Sequence, residues 1–191
     1  MKAIIDTSSL LSLVRYYLPF DRNDKLFNFI QNQIKNGKLI IIDEVFNECK
    51  YISKGIILEK LEYLTNKNFR KQYKIPIKTK DIFPPSPRKF YNLLENNFRT
   101  TLSRKLNDAE FEQRKKEFLI SADARMIIFA LNEMHNNKNM EIVIVTEETD
   151  SPNDNKAFKK IPVICNILKL EVMTLPSLLE RYNGIKIEFN I

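Results

Sequence analysis

The chain opens with the stretch KAIIDTSS, residues 2–9, in which a short apolar run ends at Asp6 and continues into hydroxyl residues. The apolar run predicts a buried strand. Thr7, Ser8 and Ser9 are residue types that favour helix N-caps, so they predict a helix directly after that strand. A strand followed at once by a helix is typical of a βαβ unit, whose neighbouring strands are parallel.

Further apolar segments repeat this alternation along the chain. Gly37 fits the end of a helix around 26–34, and Asp43 is expected to cap a helix that extends to residue 64 across a break at Gly55. The other expected helices lie near 88–104, 107–119, 121–136 and 162–168, and from Pro176 onward. The expected strands are 39–42, 141–146, 171–175 and an edge strand at 185–189.

This order of elements predicts an α/β fold with three layers, α/β/α, around a mainly parallel central sheet. We expect one domain over residues 1–191, with a basic, mainly helical insertion at about 60–118. Residues 65–90 are the least regular part, because the stretch IFPPSP at 82–87 cannot form a helix interior.

The insertion carries the whole basic excess of the chain. Residues 60–118 contain 15 Lys and Arg against 7 Asp and Glu, a net charge of +8, so the remainder of the chain has a net charge of −1. Such a segment can bind phosphates, or it can be a set of solvated helix faces, and both readings stay open. Tyr16, Tyr17, Phe90, Tyr91 and Phe98 are either base-stacking or core residues, and the phosphate-binding candidates are Arg88, Lys89, Arg99, Arg104 and Lys105.

Composition argues against several other classes of protein. Three glycines leave no glycine-rich phosphate loop, and the single histidine, His135, is expected at the end of a helix rather than in a zinc site. Cys49 and Cys165 are expected to be buried free thiols. Neither a membrane span nor a signal peptide is expected, and the expected compartment is the cytoplasm.

Acidic residues recur at places where they can meet. Asp6 follows the first strand, Glu147 and Glu148 follow the strand at 141–146, Glu48 lies on an early helix, and Asp123 opens another helix. Each has an ordinary alternative as a cap or a solvated side chain. Carboxylate oxygens are the ligands that Mg²⁺ and Mn²⁺ prefer. Two carboxylates about 4 Å apart repel by ~4 kcal/mol at an effective dielectric near 20, so a cluster of them is tolerable if a divalent cation neutralises it.

These residues carry a resemblance to the PIN-domain nuclease superfamily over about 1–58 and 119–180. IIDTS at 4–8, VFNE at 45–48, DARMIIFA at 123–130 and VTEE at 145–148 are similar to its four acidic motifs. The last motif, together with KIPVIC at 160–165, most resembles a bacterial PIN-like branch of uncharacterised proteins and the toxin-type ribonucleases. Glu148 stands where the superfamily usually has aspartate, and the insertion exceeds the compact layout of the superfamily.

The resemblance implies hydrolysis of single-stranded RNA with Mg²⁺ or Mn²⁺. Asp6 and Asp123 are then the principal ligands, Glu48 binds a second ion or orients water, and the fourth ligand stays open among Glu147, Glu148, Asp150 and Asp154. Ser8 and Thr146 either orient these groups or act as caps.

The resemblance also implies partners and alternatives. An antitoxin that occludes the acidic pocket is the implied protein partner, and self-association is left open. The alternatives are a PIN-like module that binds RNA or protein without cleaving it and, more weakly, a structure-specific DNA nuclease.

Overall fold

A four-stranded, entirely parallel sheet forms the centre of the molecule, in the order β2-β1-β3-β4. The computed structural model describes residues 1–151 and 156–182. The expected edge strand at 185–189 lies outside these residues, as does Asp154. The strands are β1 (Lys2–Ile5), β2 (Leu39–Ile40), β3 (Ile142–Val145) and β4 (Glu171–Met173).

Helices flank the sheet and complete the three-layer α/β/α architecture that the sequence predicts. The first five are α1 (Thr7–Ser12), α2 (Lys25–Lys35), α3 (Asp43–Cys49), α4 (Ile56–Lys60) and α5 (Lys67–Tyr73). The others are α6 (Pro87–Asn96), α7 (Asp108–Ile120), α8 (Ala122–Asn136), α9 (Ile161–Leu168) and α10 (Leu175–Arg181). A π-helical turn (Leu13–Tyr17) extends α1, and short 3₁₀ turns join several of the other helices. Within the described residues, no helix has the length and apolar character needed to cross a membrane.

The core is continuous from the sheet into the insertion. The inner strands are buried, with Ile4, Ile5 and Ile144 fully inaccessible to solvent. Phe98 and Leu94, both from the insertion, are equally buried and belong to the same hydrophobic cluster. The basic segment therefore has an apolar side that is part of the core. Both cysteines are buried free thiols, as the sequence predicts, and burial raises their pKa values to about 12.

The sheet order fixes where a site can form. From β1 the chain moves to β2 on one side and only later to β3 on the other, so β1 and β3 flank the switch point of the sheet. In open α/β sheets, ligands bind at the carboxyl ends of the strands at this point. Ile5 pairs with Val145 there, so the residues that follow β1 and β3 lie side by side.

Candidate functional site

Asp6 and Thr146 stand next to each other at the switch point. The Asp6 amide donates to the Val145 carbonyl at 2.9 Å, and the Thr146 amide donates to the Met173 carbonyl at 3.1 Å. Both residues are therefore fixed by the sheet itself, although neither belongs to a strand. Each side chain is almost completely buried.

Three donors hold the Asp6 carboxylate. Oδ1 accepts the Thr7 amide at 2.7 Å, and Oδ2 accepts the hydroxyls of Ser8 at 2.6 Å and Thr146 at 2.9 Å. Asp6 is therefore the N-cap of α1, and the expectation that Thr7, Ser8 or Ser9 caps this helix is wrong. The reason is that their hydroxyls bind acidic side chains instead of the backbone of the helix.

Glu48 faces Asp6 rather than open solvent. Its Oε2 accepts the Thr7 hydroxyl at 2.5 Å, a contact that joins α1 to α3. Burial raises the pKa of Glu48, the Thr7 hydrogen bond opposes this rise, and the nearby Asp6 carboxylate adds to it. Asp43, expected to cap α3, instead accepts the amide and the hydroxyl of Thr79.

Asp123 lies in the first turn of α8, whose N-cap is Ser121. The side chain is half-buried, and burial raises its pKa from 3.8 to about 7. The carboxylates of Asp6 and Glu148, and then that of Glu48, add to this rise. Three acids from distant parts of the sequence therefore lie close enough to Asp123 to disfavour its ionisation.

Glu147 and Glu148 have different surroundings. Glu147 accepts the Leu175 amide at 2.8 Å and the Ser9 hydroxyl at 3.2 Å, so it is tied to the first turn of α10. Glu148 accepts the Ile161 amide, the first of α9, at 3.2 Å. Only Glu148 of the pair raises the pKa of Asp123. Asp150, the other described candidate for the fourth ligand, is exposed.

Sequence reasoning missed Lys156. Its Nζ lies 3.7 Å from Oε1 of Glu148, and its charge opposes the upward shifts in the pKa values of Asp123 and Glu48. Lys156 is therefore a cation that belongs to the acidic cluster. It lies in a polar loop without periodicity, so no sequence pattern marks it.

The basic insertion positions the loop that carries Lys156. The Thr100 hydroxyl donates to the Lys156 carbonyl at 2.7 Å, and the Thr100 amide donates to the Ala157 carbonyl at 3.1 Å. The Lys159 amide donates to the Phe98 carbonyl at 2.8 Å. Residues 98–100 and 156–159 thus form an irregular pairing at the border of the acidic cluster.

The five phosphate-binding candidates differ in whether their side chains are free to contact a ligand. Arg88, Lys89, Arg104 and Lys105 are exposed. The Arg99 guanidinium stacks on the Phe111 ring at 3.8 Å and donates to Ser103, so it is already used in packing.

Two of the base-stacking candidates are core residues. Phe90 and Phe98 are buried, whereas Tyr16 is exposed and Tyr17 and Tyr91 are half-buried. His135 lies in the last turn of α8, as the sequence predicts.

The donor set of the acidic cluster, Asp6, Glu48, Asp123 and Glu148, suits a hard cation, because every candidate ligand is a carboxylate oxygen. Across residues 1–151 and 156–182, no group of three or more His, Cys, Asp and Glu side chains has the geometry to hold a metal ion. The hydrogen bonds to Asp6 and Glu48 leave lone pairs free on both carboxylates, since each carboxylate offers about four acceptor positions.

Comparison with known proteins finds one family and no closer relative. Residues 89–185 match the family model described as Domain of unknown function (DUF4411). The matched half of the chain contains Asp123, Glu148 and Lys156. No curated protein and no solved structure matches the chain. The chain therefore belongs to the DUF4411 family.

Proposed function

We propose that this protein is a metal-dependent, PIN-like ribonuclease that hydrolyses phosphodiester bonds of single-stranded RNA. One observation carries the proposal: burial, together with the carboxylates of Asp6, Glu148 and Glu48, raises the pKa of Asp123 to about 7 near the switch point of a parallel sheet. Carboxylates that repel one another cost stability unless a cation neutralises them. An acid whose pKa is strongly raised by burial and by neighbouring carboxylates is typical of functional sites.

The proposed roles of the four acids differ with how firmly hydrogen bonds fix the orientation of each side chain. Asp6 has a fixed orientation, because three donors bind it, so it is proposed as the anchoring ligand. Asp123 and Glu48 would supply further carboxylate oxygens to the ion. When bound, Mg²⁺ or Mn²⁺ would supply Lewis-acid chemistry, which polarises a phosphoryl group and lowers the pKa of water. Glu148 completes the cluster, and Thr146 orients both Asp6 and the Glu148 amide.

A module that binds RNA without cleaving it is the second candidate. Within the described ranges no three acidic side chains are arranged as metal ligands, and Lys156 already pairs with Glu148. In such a module Lys156 would neutralise part of the cluster permanently. Substrate would then be held by the basic insertion alone.

Cleavage of mixed single-stranded RNA separates the two candidates. We expect the purified protein to cleave in Mn²⁺ and not in EDTA, and we expect Asp6→Asn and Asp123→Asn to lose cleavage while keeping RNA affinity. Asp108→Asn, at an exposed position at the start of α7, is the matched control. Intact RNA under every condition would favour the binding module, and cleavage confined to branched DNA would indicate a DNA nuclease.

A toxin role belongs to the same proposal. Expression in a bacterial host should arrest growth, and Asp6→Asn should relieve the arrest. An antitoxin would act by covering the acidic cluster. Unimpaired growth with active enzyme present would contradict the toxin role without affecting the proposed chemistry.

A further inference from the structure

Two tyrosines, in the segments that follow Asp6 and Glu48 in the chain, are exposed to solvent. Tyr16 is 65% exposed and Tyr51 is 80% exposed. Tyr16 lies in the π-helical turn that extends α1, the helix capped by Asp6. Tyr51 follows α3, and its amide donates to the Glu48 carbonyl at 3.0 Å. A single exposed ring is ordinary on a protein surface, whereas exposed rings interleaved with cations are typical of surfaces that bind single-stranded nucleic acid.

A hydrogen bond brings the two tyrosine segments together. The Arg15 guanidinium, adjacent to Tyr16, donates to the Ser53 hydroxyl at 2.5 Å, and Ser53 lies two residues after Tyr51. The aromatic rim, defined here as Arg15, Tyr16 and Tyr51, is therefore one surface built from two segments. The next residue in the π-helical turn, Tyr17, is half-buried; burial raises the pKa of Tyr17, and the Glu147 carboxylate adds to this rise.

The charge around the aromatic rim suits a polyanion. Arg15, Lys50 and Lys54 are all exposed within the two segments. Flat rings interleaved with cations fit a strand that offers unpaired bases and phosphates together. A double helix offers no such bases, because its bases are stacked on each other.

We propose that the aromatic rim is a base-stacking site for single-stranded nucleic acid, with Tyr16 and Tyr51 against bases and Arg15 beside the backbone. The inference rests on the proposed function, because it gives the strand entering the acidic cluster its second point of attachment. It adds selection for unpaired bases, which carboxylates and a cation cannot supply.

Binding of a fluorescein-labelled single-stranded RNA of about 12 nucleotides tests this site by fluorescence anisotropy. The titrations are done in EDTA and again in Ca²⁺, so that the readout does not depend on hydrolysis. Tyr16→Leu and Tyr51→Leu remove a ring but keep an apolar side chain, whereas Tyr16→Phe and Tyr51→Phe keep the ring. Phe83→Leu removes another exposed ring, near the far end of α8, and is the matched control.

Each Leu variant should weaken binding about fivefold or more, and each Phe variant should bind as the wild type does. Replacing bases of the RNA by abasic positions should weaken wild-type binding and leave the double Leu variant unaffected. Circular dichroism and melting temperature identify any variant that is misfolded, and the Phe variants keep the test decisive in that case.

Unchanged affinity of the double Leu variant, or equal losses in the Phe83→Leu control, would overturn the inference. A changed oligomeric state with unchanged RNA affinity would also overturn it and would make the rim a protein interface. These results are independent of the proposed function. If the protein cleaves RNA normally in Mn²⁺ but the rim variants bind RNA as the wild type does, only the proposed stacking site is overturned. If the rim variants bind RNA more weakly but the wild type does not cleave it, only the proposed nuclease activity is overturned.

Discussion

At the scale of single residues, the acidic cluster is organised by hydroxyl groups. Thr7 binds Glu48, and Ser8 and Thr146 bind Asp6, so three small side chains set the orientation of two carboxylates. The sequence indicated Asp6 and Glu148 through their positions after strands, and Glu48 and Asp123 through their positions on helices. It could not assign the hydroxyls, because serine and threonine are equally common as helix caps and only the folded geometry distinguishes the two roles.

Asp123 should make the metal-free protein less stable as pH rises. Its folded pKa of about 7 exceeds the ordinary value of 3.8, so between these values the folded state keeps a proton that the unfolded state has lost. Stability is therefore highest, with respect to this group, below about pH 4 and falls up to about pH 7. Allowing for solvent screening, we expect a loss of about 1–2 kcal/mol.

Urea denaturation in EDTA at about pH 5 and pH 8 measures this loss. Asp123→Asn should flatten the difference, since asparagine does not ionise, and Asp108→Asn should leave it unchanged. A pH dependence that is the same in all three proteins would show that Asp123 is not the titrating group.

Thr146→Val tests the role of a hydroxyl that donates to Asp6 and accepts the Glu148 amide. The change keeps the shape of the side chain but removes both contacts, so we expect about 1–2 kcal/mol of destabilisation and a loss of cleavage. Thr79→Val is the matched control, because Thr79 is also buried and donates to an aspartate, Asp43. Chemical denaturation and RNA cleavage should separate the pair; equal cleavage by the two variants would assign Thr146 a structural role only.

At the scale of elements, the sequence predicted most helices and all four described strands. The failures have a common cause in tertiary pairing. The expected strand at 39–42 pairs with β1 only as far as Ile40; beyond it, Ile41 accepts the Ile77 amide and the chain pairs with the insertion. The helix expected over 88–104 ends at Asn96. Residues 98–100 pair with residues 157–159 instead of continuing the helix. The periodicity of apolar residues reflects the local preference for helix or strand, and it contains no information about a pairing partner that is distant in the sequence.

The 65–90 segment also holds more structure than its composition indicates. α5 forms there, because the Asn66 side chain accepts the amides of Asn68 and Phe69 and so satisfies the first turn. The proline-rich stretch at 82–87 is irregular up to Ser86, as the sequence predicts, and Pro87 begins α6.

The start of α7 gives a prediction at this scale. Asn107 and Glu110 form a reciprocal capping box, with the Glu110 amide donating to Asn107 at 3.0 Å and the Asn107 amide to Glu110 at 3.1 Å. Asn107→Ala should cost about 1 kcal/mol and lower the melting temperature by about 2–4 °C. Scanning calorimetry beside the exposed variant Asn97→Ala checks this; an unchanged melting temperature would show that the cap contributes nothing.

At the scale of the whole molecule, charge is divided between two regions that meet at the pairing of 98–100 with 156–159. The insertion has a net charge of +8, and the acidic cluster lies in the part of the chain with a net charge of −1. Such a division favours a polyanion that spans both regions, with its backbone on the insertion and one phosphate at the cluster. The sequence predicted the charges, but only the fold links them through Thr100 and Lys156.

Salt dependence of RNA binding tests this division. The double variant Arg104→Gln, Lys105→Gln should reduce the slope of log affinity against log salt by about 1–2. The reason is that RNA binding releases fewer counterions when fewer phosphates are contacted. The exposed lysines Lys25 and Lys138, outside the insertion, give the matched control when both are changed to Gln. Equal slopes for the two double variants would show that RNA does not follow the insertion.

Isothermal titration calorimetry, in which Mn²⁺ is titrated into the protein, tests the central claim that the acidic cluster is a divalent cation site. The wild type and Asp108→Asn should bind Mn²⁺ alike, whereas Asp6→Asn and Asp123→Asn should bind at least about tenfold more weakly, since each variant replaces a charged ligand. Equal binding of Mn²⁺ by all four proteins, or binding by none of them, would contradict the account.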